Sequence, residues 1–406
     1  MSYTHPHGEA HDPVSLGREV VRACLGLGFG AAGIARAVPS SRGDEVRAWL
    51  GAAKHGTMDW MEEYLDERLD VTRLLPGARA VIVVADAYAG PGEDPKSARS
   101  TRDASGGSPP TGSIARYARG EDYHAVIKRR LRRLADRLRE LPAARRTVED
   151  GNGEARFRAF VDSGPALERE HAARAGLGWV GKHTLLIDPE RGSWFVLGGI
   201  ATTLDIAPDP LHPEVADHCG TCTRCIDACP TQAITPYSVD ARLCVSYLTI
   251  EHQGLIDPSL HAGIGDRLIG CDVCQEVCPF NGAVSALEEQ ERHGHGGHAA
   301  VVNAAYAPGR GVGAALPLLE VLGWTEGERT RVLSLSAAKR ATLAMLKRNA
   351  LIAAGNAVVG GTSPHDAAAL RARIDQIVAD EAEETVVRET ARQVVQKFKP
   401  QSSHFK

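Results

Sequence analysis

Cys219-Gly220-Thr221-Cys222-Thr223-Arg224-Cys225-Ile226-Asp227-Ala228-Cys229-Pro230 is the stretch on which the fold of this 406-residue chain turns. Its spacing, C-x2-C-x2-C-x3-C-P, is that of bacterial proteins holding two four-iron clusters. Three close thiolates grip one cluster, and the fourth, just before proline, reaches the other. A second run must therefore exist. Cys271-Asp272-Val273-Cys274-Gln275-Glu276-Val277-Cys278-Pro279 supplies it, but aligning the two runs puts Leu268 where a first cysteine belongs. Cys244, isolated between the runs, completes the set. The expected partition is Cys219, Cys222, Cys225 and Cys278 on one 4Fe-4S cluster, with Cys229, Cys244, Cys271 and Cys274 on the other. Zinc is the competing reading, because C-x2-C pairs also build tetrahedral zinc centres. Zinc explains two pairs; it does not explain triplets followed by a C-P step. The C-x3-C-x2-C order of radical-SAM enzymes does not occur.

Composition agrees with a redox protein in a reducing compartment. The chain is 43% hydrophobic, carries a net charge of -4 and has nine cysteines, enough apolar residues for a full core in two or three domains. No run approaches the roughly 18 apolar residues of a membrane span. The start, MSYTHPHGEAHD, has neither a basic nor an apolar leader region. The expectation is a cytoplasmic protein without membrane attachment, where thiols stay reduced and serve metal or redox chemistry. Cys24 is set apart: it shares a helical face with Leu16, Val20, Val21 and Leu25, so it reads as buried packing.

Along the chain, the pattern predicts a tail over 1–14, an α/β domain over 15–210, a cluster domain over 211–285, a linker over 286–315 and a helical cap over 316–406. Ser15 is the expected cap of the first helix. Strands are expected at Ala31 to Ala35, Ala78 to Ala85, Arg156 to Val161 and Ser193 to Thr202, with a helix from Glu121 to Leu141. Gly90 to Ser113 is rich in Gly, Pro and Ser and reads as a surface loop, Thr147 to Glu154 as a second soft point. The run HGHGGH at His293 to His298 reads as a solvated connector. From Leu316 on, paired helical patterns with short connectors suggest a HEAT-like repeat cap, too short to stand alone and therefore docked on the body. Lys128 to Arg146 is densely basic, ordinarily a solvated helix face.

Several further segments carry a resemblance. Arg116-Tyr117-Ala118-Arg119-Gly120-Glu121-Asp122-Tyr123-His124, Val161-Asp162-Ser163-Gly164-Pro165, the run Ala175 to Thr184 (AGLGWVGKHT) and Cys244 to Glu251 (CVSYLTIE) resemble the epoxyqueuosine reductase family, in the family's order, over roughly residues 15 to 285. The resemblance implies a mixed α/β domain that binds cobalamin with its lower base detached, a ferredoxin-like domain with two 4Fe-4S clusters, and an all-α helical cap. It implies reduction of epoxyqueuosine to queuosine in a tRNA anticodon. Electrons would come from a low-potential donor of flavodoxin or ferredoxin type and pass through the clusters to cobalamin. A monomer is expected.

Carried over residue by residue, the resemblance makes Asp162 the general acid, and Arg68, Ala115, Asp162, Leu186, Leu197, Ser246, Cys271 and Asp272 the cobalamin contacts. Expelling an epoxide oxygen as water needs a proton, so burial is expected to raise the Asp162 pKa and keep it protonated. The competing reading of Asp162 is an Asx-turn or cap; Arg68 could instead pair with Glu62 or Glu63, and Leu186 and Leu197 could be plain core. With tRNA as substrate, the Lys128 to Arg146 stretch and Arg329, Arg331, Lys339, Arg340, Lys347 and Arg348 become candidate phosphate contacts. Two rivals stand beside this reading: a reductive dehalogenase-like corrinoid enzyme acting on a small substrate, and a ferredoxin-like carrier that does no chemistry itself.

Overall fold

An antiparallel sheet covered on both faces builds the N-terminal half. The computed structural model describes residues 12–89, 109–146, 154–162, 164–281, 302–307 and 309–398. The expected tail up to residue 11, most of the Gly90 to Ser113 loop, residues 147–153 and the His293 to His298 connector lie outside them. The strands among the described residues are β1 (Ala31–Arg36), β2 (Ala80–Ala87), β3 (Thr111–Ile114), β4 (Phe157–Phe160), β5 (Trp179–Val180), β6 (Leu186–Ile187), β7 (Phe195–Thr202), β8 (Ile234–Thr235), β9 (Ser238–Val239), β10 (Arg267–Ile269) and β11 (Ala315–Pro317). The main sheet runs β1-β2-β7-β4, with every neighbouring pair antiparallel. All of β2 is buried, because both faces of the sheet are covered. Ile82, Val84 and Ile200 meet Leu16, Val20 and Cys24 of the helix Pro13–Gly26 and Ile127, Leu131 and Leu134 of the helix Tyr123–Arg139. Val81, Val83 and Ala201, on the opposite face as strand alternation requires, pack with Ala172 of the helix Glu168–Arg174.

Two local expectations change. The first helix is capped by Asp12, not Ser15: the Asp12 carboxylate accepts from Val14 N and Ser15 N. Pro13 occupies the first helical position, where its missing N–H leaves no bond unmade. The basic stretch is two helices, Tyr123–Arg139 and Pro142–Arg146, since Pro142 cannot continue the first. Arg130 turns inward, 2.7 Å from Asp86 and over the Phe29 ring. Arg129, Arg132, Arg133 and Arg137 remain on the outer face.

A second sheet, ordered β10-β3-β11, has β10 parallel and β11 antiparallel to β3. It joins three segments that the sequence reading assigned to separate parts. Leu268, at the position that lacks a cysteine, is fully buried in β10 with Ile114 and Leu346.

The C-terminal part is helical, as the pattern predicts: Leu318–Gly323, Glu326–Leu333, Leu343–Val359, Pro364–Ala379 and Thr385–Gln396. It docks through the helix Leu343–Val359, buried along almost its whole length. That helix explains why two of the candidate phosphate contacts are unavailable. Arg348 is fully buried, donating to the carbonyls of Leu248 (2.5 Å), His252 (2.6 Å) and Gly254 (2.7 Å). Lys347 pairs with Glu383 at 2.7 Å. Asn349 and Asn356 add bonds to the carbonyls of Thr249, Leu268, His261 and Gly265.

Candidate active site

The eight candidate ligand cysteines fall into two neighbourhoods, all as free thiols. Cys278 is pushed up to about 11, by burial first and then by Cys219, Cys225 and Cys222 around it. Cys244 is raised by burial with Cys229 adding to it, Cys271 reaches about 11 by burial with Cys244 beside it, and burial with Cys271 and Cys244 holds Cys274 well above the thiol range. Cys274 also feels Cys225, so the two groups adjoin. Crowded thiols of raised pKa are what a site looks like before a metal takes the protons' place. Two adjoining groups of four thiols each match the eight ligands that two four-iron clusters take.

Short helices fix these thiols. Arg224–Asp227 carries Cys225, and Val273–Glu276 carries Cys274. Gly270 precedes Cys271 at a φ of 70°, where a Cβ would lie 2.6 Å from the Ala115 side chain. Glycine is therefore required twice over there. A buried polar network ties this loop to the main sheet. Gln275 Nε2 donates to Ser193 O at 2.8 Å, Asn281 Nδ2 donates to Ser193 Oγ at 2.8 Å, and Tyr88 donates to Gln275 at 3.2 Å.

Between the sheet, the cluster region and the cap lies a cavity of about 1110 Å³, above the roughly 300–1,000 Å³ usual for drug-sized ligands. One wall is made by Cys229, Cys244, Cys271 and Cys274; the other cysteine group is absent from it. Arg68, Asp162, Leu186, Leu197, Ser246 and Asp272 also line it. Ala115 does not: it is buried behind the wall, its N–H bonded to Ile269 O at 2.8 Å. Arg68 is not paired with Glu62 or Glu63; its guanidinium lies over Trp60, and burial lowers its pKa. Asp272 accepts from Arg116 N at 2.9 Å, and burial raises its carboxyl to about 6. Arg68 Nε, Glu168 Oε1 and His183 Nε2 are buried on this wall without a hydrogen-bond partner among the described residues. The unmet Arg68 and His183 nitrogens beside so large a volume suit a ligand edged with amides, as a corrin is.

Asp162 sits where β4 gives way to the helix Glu168–Arg174, at a φ of 49°, a strained conformation that concentrates at working sites. Its Oδ2 accepts from Tyr123 Oη at 2.9 Å and lies 3.1 Å from His124 Nε2, whose Nδ1 is 2.8 Å from Asp122 Oδ1. Lys339 of the cap reaches Asp122 at 2.7 Å. The expected raised pKa is not found. Burial pushes the Asp162 carboxyl up, but His124, Tyr123 and Arg340 outweigh it and hold the group below the usual carboxylate range. Burial lowers His124, and its bonds to Asp122 and Asp162 reverse this, raising the imidazole to about 9. The proton of this pair rests on His124 at neutral pH. The Asp162 side chain is 59% exposed, open to the cavity while crowded on its flanks. His124, Tyr123 and Glu168 were not assigned roles from sequence, although Asp122-Tyr123-His124 places an acid, a phenol and an imidazole together at a helix start.

The family of 4Fe-4S double cluster binding domains matches residues 218–281, and the family described as epoxyqueuosine reductase QueG, DUF1730, matches residues 68–163. An epoxyqueuosine reductase of Xanthomonas campestris pv. campestris is 40% identical over 281 residues, 69% of this chain and 74% of that one. One from Vibrio cholerae is 36% identical over 347 residues, 85% of each chain. The crystal structure of an epoxyqueuosine reductase with an epoxyqueuosine-modified tRNA-Tyr stem loop superposes with a TM-score of 0.71 at 22% identity, covering 94% of this chain and 98% of the other. With that extent of identity to reductases on one side and the double-cluster domain beside a large cavity on the other, the chain belongs to the epoxyqueuosine reductase family and is an oxidoreductase.

Proposed function

We propose that this reductase removes the epoxide oxygen of epoxyqueuosine in tRNA, using cobalamin held in the central cavity and electrons drawn through the two clusters. The observation that carries the reading is the cavity itself: four cysteines form one wall, and the hydrogen-bonded group Tyr123, His124 and Asp162 faces the same space. Cobalamin, when bound, would supply the low-potential reducing chemistry that opening an epoxide needs. Arg68, Leu186, Leu197, Ser246 and Asp272 line its seat. The remaining work belongs to the chain. Cys219, Cys222, Cys225 and Cys278 hold the outer cluster near the exposed segment 211–224, where an external donor can reach it. The cavity-side cysteines hold the inner cluster.

Asp162 gives the oxygen its proton. It is ionised at rest, and His124 carries the proton that Asp162 passes on when a developing alkoxide demands it. Tyr123 holds the carboxylate in place and stays protonated, since burial raises its own pKa. tRNA as substrate is supported by the solved relative with a modified stem loop, and by the outward arginines of the helix Tyr123–Arg139. A pure electron carrier would have no use for the cavity.

The test is anaerobic reconstitution with iron, sulfide and cobalamin, reduction, and incubation with tRNA carrying epoxyqueuosine, followed by nucleoside mass spectrometry. Queuosine is the expected product, and its absence overturns the reading. Asp162→Asn should keep eight irons and bound cobalamin while turnover falls roughly 100-fold or more. Wild-type turnover in that variant removes Asp162 from the mechanism.

A further inference from the structure

Proton bookkeeping leaves the proposed reaction one acid short. Converting an epoxide to an alkene breaks both C–O bonds, forms a C=C bond and releases water, consuming two electrons and two protons. The reductase supplies the electrons. The pair His124 and Asp162 carries one transferable proton, because Asp162 rests as a carboxylate. A second proton must come from elsewhere on the cavity wall.

Resting on the reading of Asp162 as the acid, we propose that Glu168 stores the second proton and recharges Asp162 after the first transfer. Glu168 lines the cavity six positions after Asp162, and its Oε1 is sealed from solvent with no hydrogen-bond partner among the described residues. Such an oxygen is costly to leave unpaired as an anion and far less costly as a neutral carboxyl. Burial, followed by the charge of Asp162, raises Glu168 to about 8, against the opposing pull of its own backbone N–H and then of Arg169 and Arg68. The groups facing it come from each neighbouring element. Asp162 lies on the preceding loop, Arg68 on the helix Leu65–Leu69, and Arg169 on its own helix. His183, on the loop between β5 and β6, is held neutral near 4 by burial and by Arg169. Arg169 is drawn away from the carboxyl, bonding Thr184 O at 2.6 Å. Glu168 acts through Asp162 and is in this sense a positioning residue.

Glu168→Gln keeps the shape and the donor but cannot release a proton. Infrared difference spectra of the wild-type protein between pH 7 and 9 should show a protonated-carboxyl band that titrates near pH 8 and is missing from E168Q. In single-turnover assays of the reconstituted holoenzyme, wild-type rates should fall as pH rises through about 8. E168Q should be slower by roughly 10-fold to 100-fold and should lose that limb, with iron and cobalamin content unchanged; E168D should restore part of both. A wild-type rate and pH limb in E168Q, or an unchanged infrared band, overturns the proposal. Asp162→Asn run alongside separates the two readings: an inactive D162N with a normal E168Q removes only Glu168, whereas an active D162N removes the acid on which this inference rests.

Discussion

Cys244 and Cys24 are the same side chain in opposite surroundings. Cys24 is fully buried among Leu16, Val20 and Phe29, and burial alone pushes its thiol up to about 12; it behaves as a small hydrophobe. Cys244 stands with Cys229, Cys271 and Cys274. Cys244→Ala should therefore cost about four of the eight irons per chain and leave the outer cluster visible by electron paramagnetic resonance, whereas Cys24→Ala should keep all eight. Equal iron in both variants would contradict the assignment of Cys244. Both cysteines were legible in the sequence, one from helical spacing and one from ligand counting. The charge on Asp162 was not, because its partners arrive from elsewhere. His124 lies 38 residues earlier, and Arg340 comes from the cap. A pKa argument from burial alone omits whatever tertiary structure brings beside the group.

At the scale of elements, long periodic segments were readable and short ones were not. The strands of the main sheet appear close to their expected positions because runs rich in apolar residues, bounded by turn residues, leave a signal. β10 and β11 are three residues each, and β3 lies at the end of a Gly-, Pro- and Ser-rich stretch that reads as loop, so their pairing is decided by contacts distant in sequence. Helical patterns from Leu316 on were expected, yet the cations of the helix Leu343–Val359 looked like phosphate contacts because sequence cannot say that a helix is covered all round. Arg348→Met keeps the side-chain volume but leaves the carbonyls of Leu248, His252 and Gly254 without their donor. A loss of about 3–5 kcal/mol is expected, read as a lowered denaturation midpoint. Arg331, exposed on its short helix, should show no comparable loss when changed to Met.

For the molecule as a whole, buried histidines and buried carboxyls set the response to acid against each other. His171, His183 and His261 are each held near 4, with burial as the leading cause, against an ordinary value near 6.5. The unfolded chain takes up protons that the folded chain refuses, so this contribution is complete above about pH 6.5 and drains away as pH falls toward 4. His124 opposes it. Held up to about 9, it adds stability below pH 6.5 that is lost as pH rises toward 9. The carboxyls of Glu168 and Asp272, raised to about 8 and about 6, oppose it too, since they hold protons in the folded chain that the unfolded chain has given up. Three groups stand against three, and the thermal midpoint should change little between pH 7 and pH 5 in calorimetry. His261→Asn removes one of the losses, so the midpoint of that variant should climb on acidification; a variant that follows the wild type would refute the argument. The helix Leu343–Val359 has one more consequence, which concerns biosynthesis. Its Arg348, Asn349 and Asn356 close off backbone groups between Leu248 and Gly265 and at Leu268, yet a ribosome delivers them 81 to 100 residues after those groups have emerged. Domains fold in the order they are synthesised, so the thiol-bearing segment waits half-finished for the helix Leu343–Val359, and loading with iron becomes an event that follows that helix's emergence.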